Sequence, residues 1–73
     1  MNPLIESINK IQQIHQISDR QLAIRLKVDE GTISRVKREL VKPGGKVLSA
    51  LIREFPEMQL AVMQYMQSAK VSR

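Results

Sequence analysis

The sequence predicts an all-α fold of five short helices, and three observations carry that prediction. Apolar residues recur every three or four positions through each periodic stretch. No segment alternates as a strand would, and residues that start helices stand ahead of the first three runs. Asn2 caps the first helix with Pro3 at its first position, where a missing N–H costs nothing. Leu4, Ile8, Ile11 and His15 then form one face, flanked by Ile5 and Ile14. Ser18 opens a second helix, and Gln21 three residues on completes a capping box. Leu22, Ala23 and Leu26 are its apolar positions. Lys27-Val28 breaks the pattern, and Asp29 caps a third helix with Ile33 and Val36 inward. Leu40 and Val41 lead into Pro43-Gly44-Gly45, the clearest breaker. A fourth helix runs through Val47, Leu48, Leu51, Ile52 and Phe55, and Pro56 either ends it or starts the fifth. The fifth carries Met58, Ala61, Val62, Tyr65, Met66 and Ala69, with Leu60 and Met63 widening the stripe. Val71 to Arg73 are expected to fray.

Seventy-three residues suit a single domain, 1–73, whose core buries only about 60 % of the unfolded chain's surface. The chain has no cysteine and one histidine, so neither a disulfide framework nor a metal site is expected, and no cofactor is implied. No nucleophile–base pair or carboxylate dyad stands out, so an enzyme is not expected. Phe55 and Tyr65 are the only aromatics, which argues against a stacking platform for single strands. No apolar run is long enough for a membrane, and nothing after Met1 follows a signal-peptide pattern, so a cytoplasmic location is expected. The formal charge of +5 is uneven: residues 18–46 hold eight basic and four acidic side chains. That patch suits a polyanionic partner, although a solvated helix face gives the same pattern.

The informative stretch is 18–38, SDRQLAIRLKVDEGTISRVKR. Two short capped helices joined by a tight turn follow the helix-turn-helix plan. Leu22 and Leu26 face the core, Ala23 allows close approach, Val28 plugs the turn, and Ile33 and Val36 lock the second helix across the first. Glu30, Gly31, Ser34 and Arg35 are left on the outward side, where such a motif enters the major groove.

This stretch resembles the helix-turn-helix of lambda-type phage repressors, Cro proteins and the related Xre-type bacterial regulators. Their pattern is roughly L-S-Q-x-x-L-A-x-x-L-G-V-S-x-x-x-I-S-x-h-E-x-G, with h apolar. Ile17, Ser18, Leu22, Ala23, Leu26, Val28, Ile33, Ser34 and Val36 match it in register. Gly45, Leu48, Leu51, Ile52, Phe55 and Pro56 are similar to that family's fourth helix, so the likeness covers Leu4 to about Met58. It implies a compact five-helix lambda repressor-like domain. Some positions depart from the pattern. Lys27 and Glu39 stand where the family has glycine, which requires a left-handed or strained backbone at Lys27. Asp19 replaces a phosphate-binding glutamine, so it must cap or pair to avoid repelling a phosphate. Gln12 and Lys37 together replace a common Arg–Glu pair.

The expected function is sequence-specific recognition of double-stranded DNA by a transcriptional regulator, of phage or mobile-element type. Glu30, Gly31, Ser34 and Arg35 are the candidate base contacts, with Arg35 foremost because a guanidinium grips guanine O6 and N7 with two bonds. The alternative for Arg35 is a surface ion pair, and for Glu30 compensation of the helix dipole. Thr32, Arg38, Lys42 and Lys46 are the candidate phosphate contacts, while Arg20 and Arg25 are weaker ones. His15 is expected in the core or at its boundary. Residues 56–70 form the candidate seam of a homodimer, with Phe55, Met58, Val62 and Met66 as contacts, binding a near-palindromic operator. A rival reading uses the same fold to dock another phage or bacterial repressor as an antirepressor or modulator, through a face bearing Asp19, Ile24 and Glu30.

Overall fold

A computed structural model describes residues 2–71, with side chains described up to residue 68. Helix α1 spans Pro3–His15, α2 Asp19–Leu26, α3 Glu30–Lys37, α4 Gly45–Glu54 and α5 Gln59–Val71. A single 3₁₀ turn, Pro56–Met58, joins α4 to α5, so Pro56 starts a new element. Helix α5 is described through Val71, and the rest of the expected frayed end, like Met1, lies outside the described residues.

The expected caps form. Asn2 Oδ1 accepts the Leu4 N–H at 2.8 Å. Ser18 and Gln21 bond reciprocally, at 3.2 Å through Ser18 Oγ and 2.8 Å through Gln21 Oε1. Asp29 Oδ2 accepts the Thr32 N–H at 3.1 Å. Each cap satisfies an N–H that the helix itself leaves without a partner.

The helix ends are less ordinary. Gln16, Lys27 and Glu39 have φ of 54°, 60° and 59°, and no described glycine has positive φ. Behind each, the next residue's N–H reaches back five positions: Ile17 to Gln12 O at 3.0 Å, Val28 to Ala23 O at 3.0 Å, Leu40 to Arg35 O at 2.9 Å. These are Schellman closures, which usually place glycine at the left-handed position. Lys27 and Glu39 therefore hold the left-handed conformation with a side chain attached, and Gln16 adds a third. Ile17 and Val28 tuck against the core after their closures. Leu40 does not, and stays exposed.

All five helices supply the core. Leu4, Ile5, Ile8 and Ile11 come from α1; Leu22, Ala23 and Leu26 from α2; Ile33 and Val36 from α3; Val47, Ala50 and Leu51 from α4. Phe55, Met58 and Val62 complete it. The last three correct the sequence reading. With 0, 1 and 0 % of their surface exposed, Phe55, Met58 and Val62 are consumed within one chain and cannot be dimer contacts. Of the four residues assigned to the seam only Met66 faces solvent, and it is joined by Leu60 and Met63 on the outer side of α5. Of the two residues flanking the α1 stripe, Ile5 lies in the core and Ile14 is exposed. No helix among the described residues is long and apolar enough to cross a membrane.

Candidate nucleic-acid interface

Helices α2 and α3, separated by residues 27–29, pack against each other more extensively than any other pair of elements. Helix α3 buries Ile33 and Val36 alone. Glu30 and Arg35 are exposed, and Gly31, Thr32 and Ser34 are half-exposed. The candidate base contacts are therefore all reachable from solvent, on a helix whose other side is fixed in the core.

Two of them, Gly31 and Arg35, belong to one local arrangement with Asp29 and Thr32. Asp29, the N-cap of α3, receives the Thr32 hydroxyl at 2.6 Å on Oδ1. The same hydroxyl oxygen accepts Arg35 Nη2 at 3.3 Å, and Arg35 Nη2 lies 3.7 Å from Asp29 Oδ2. The Thr32 hydroxyl foremost, with its backbone N–H and Arg35 adding to it, holds the Asp29 carboxyl below its ordinary range. Gly31 makes the space: a Cβ there would sit 2.9 Å from Asp29 Oδ2 and 3.0 Å from Arg35 Nη1. Arg35 is thus paired with an acid and still about half exposed. Glu30 and Ser34 make no side-chain hydrogen bond among the described residues, and stand apart from this cluster.

Thr32 was expected at a phosphate. Its hydroxyl proton is instead committed to Asp29, which leaves it an acceptor for Arg35. Arg38, Lys42 and Lys46 are exposed and form no ion pair with a described residue. They follow α3 in order, at its end, in the loop and in the first turn of α4. Lys46 is unusual there, because a cation at a helix N-terminus is unfavourable unless an anion lies nearby, and Gly44 supplies no side-chain cap. Arg25 has a structural partner, its guanidinium lying 5.1 Å from the Phe55 ring centroid.

No family model, curated protein or solved structure matches the chain.

A second polar cluster escaped the sequence reading. Lys37 Nζ donates to Gln12 Oε1 and Asp19 Oδ1, both at 2.8 Å, and Gln12 Nε2 donates to Asp19 Oδ1 at 2.9 Å. This knot ties α1, α2 and α3 together. The Lys37 bond, and then that from Gln12, hold the Asp19 carboxyl below its ordinary range against the opposing effect of burial. Asp19 is therefore a paired residue, and its charge is answered before any phosphate arrives. The visible signal was the joint departure at Gln12 and Lys37, which supplies Asp19 with one hydrogen-bond donor and one cation.

His15 sits at the boundary of the core. Its ring centroid is 5.1 Å from that of Phe55, and Nε2 lies 3.0 Å from Glu57 Oε2, joining α1 to the 3₁₀ turn. No three His, Asp or Glu side chains gather into a possible metal site among the described residues.

Proposed function

We propose that the protein is a sequence-specific double-stranded DNA-binding regulator with a lambda repressor-like domain, α2 and α3 forming its helix-turn-helix. Helix α3 enters the major groove with Arg35 as the principal base reader and Glu30, Gly31 and Ser34 beside it. Arg38, Lys42 and Lys46 contact phosphates and supply salt-dependent affinity. The observation that carries this reading is the one-sided burial of α3. Ile33 and Val36 anchor it while its polar side, with Arg35, stays accessible.

Leu60, Met63 and Met66 give α5 an exposed apolar face, and two copies joined there bind a near-palindromic operator. Their recognition helices then lie about 34–36 Å apart, on successive major grooves, and the bound dimer represses by occluding a promoter. The work is done in the cytoplasm by binding alone, with no catalytic group, metal or cofactor. Selection from a library of randomised duplexes tests the reading. A near-palindromic motif, bound with a steep salt dependence, supports it; recovery of no motif refutes it.

One observation favours a second reading. Ile24 is exposed on α2 beside a shallow depression lined with His15, Ile17, Gln21 and Arg25. Such a surface suits docking another repressor. Binding to a repressor's DNA-binding domain, without binding to any duplex, is its signature. The engagement of Asp19 by Lys37 and Gln12 removes one of the residues that this reading would use.

A further inference from the structure

Side chains on a helix lean toward its N-terminus and meet neighbours three and four positions back. Arg35 does so over Thr32 and Gly31, and its guanidinium reaches the cap of its own helix. There the chemistry is directional. The Thr32 hydroxyl spends its proton on Asp29, so it turns lone-pair density toward Arg35 Nη2. A guanidinium carries five N–H donors in a rigid plane, and only Nη2 is engaged among the described residues. Nη2 belongs to both two-donor edges of the guanidinium, Nη1–Nη2 and Nε–Nη2, through a different hydrogen in each, so with one Nη2 hydrogen engaged the other edge keeps both donors. Glycine is the poorest helix former after proline, yet Gly31 occupies the first turn of α3, where any side chain would press on both Asp29 and Arg35.

We infer that Asp29, Thr32 and Gly31 are specificity-determining positioning residues. Together they hold the Arg35 guanidinium over the first turn of α3 so that its open edge meets guanine. This rests on the DNA-binding reading above and deepens it. The Asp29 carboxylate beside the guanidinium repels a phosphate that would otherwise capture Arg35, so the arginine is biased toward base edges. The cap thus acts twice, on the α3 backbone through the Thr32 N–H and on the reader through the Thr32 hydroxyl.

Two substitutions separate positioning from stability. Asp29→Asn keeps a good helix cap and removes the charge. Gly31→Ala improves helix propensity while pushing Arg35 away. Wild type and both variants are taken through the same selection from randomised duplexes, with thermal unfolding and the Arg35 Nε–Hε resonance of the DNA-free protein recorded alongside. In wild type the held guanidinium shifts that resonance away from the free-arginine position; in both variants it moves back toward it. Preference for guanine at the Arg35 position falls about two- to fivefold in each variant, the range set by losing an exposed ion pair. Gly31→Ala melts no lower than wild type, so its loss of preference cannot be a folding defect. Equal motif sharpness in all three proteins overturns the positioning role and leaves the DNA reading standing. A wild type that enriches no motif overturns both.

Discussion

Asp19 and Asp29 stand at the start of consecutive helices, each holding a lysine or arginine further along the chain, and they serve opposite ends. The partners of Asp19 come from other helices, Gln12 from α1 and Lys37 from α3, and the cluster is well covered: side-chain exposure is 37 % for Asp19 and 22 % for Lys37. The partners of Asp29 come from its own helix, and Asp29 and Arg35 are 70 and 51 % exposed. The first cluster fixes how three helices sit together. The second fixes how one side chain is presented. A helix-leading carboxylate thus becomes architecture or a surface feature according to whether its partners are distant or near in the chain.

The sharpest way to break that contrast is to remove the cation from each cluster. Lys37→Met keeps the aliphatic stem but leaves Asp19 with Gln12 alone. It should lower stability by about 1 kcal/mol, several degrees in melting temperature for a domain this small. Arg35→Met should leave calorimetric melting unchanged within error. Equal losses would mean that the two clusters do the same work.

The turn between the clusters offers a smaller effect of opposite sign. Lys27 holds φ at 60°, a conformation that disfavours a side chain. Lys27→Gly should raise stability by about 0.5–1 kcal/mol in urea unfolding, the relief of strain being offset in part by glycine's freer unfolded chain. A loss of stability would mean that the Lys27 side chain contributes more than its backbone costs.

Acid titration gives the finest contrast. Both carboxyls titrate below the ordinary aspartate value of 3.8 in the folded protein. A carboxyl depressed by folding contributes stability that is fully present above its unfolded pKa and disappears as pH falls through the folded value. Unfolding measured from pH 5 downward should therefore lose less in Asp19→Asn than in wild type, with the difference opening below about pH 4. Asp29→Asn should flatten the profile less, because its group and its partner are exposed. The reverse order would put the structural cluster on the wrong aspartate.

The features readable from the sequence were those set by near neighbours. The caps at Asn2, Ser18 and Asp29 were visible because a cap needs only residues within one turn. The left-handed turn at Lys27 was expected only through the resemblance, which puts a glycine at that position. Burial was less legible where a stripe is wide. The apolar stripe around α5 does not say which part the other helices cover, so Phe55, Met58 and Val62 read as seam contacts while they fill the core. Ile5 and Ile14 flank one stripe alike, yet Ile5 is buried and Ile14 exposed, since periodicity marks a face and cannot show where neighbouring helices stop covering it. The knot at Gln12, Asp19 and Lys37 was hidden because its members meet only after α1, α2 and α3 have packed. At the candidate interface the residue types were legible. The folding of Arg35 back over Gly31 was not, because it depends on a rotamer.

The most direct test compares wild type and Arg35→Ala on a duplex enriched from a randomised library, across a range of salt. Arg35→Ala should bind the enriched duplex about tenfold or more weakly while its affinity for scrambled DNA changes little, with both proteins weakening steeply as salt rises. Unchanged discrimination in Arg35→Ala, or wild-type binding without a salt slope, would contradict DNA reading by the outward side of α3.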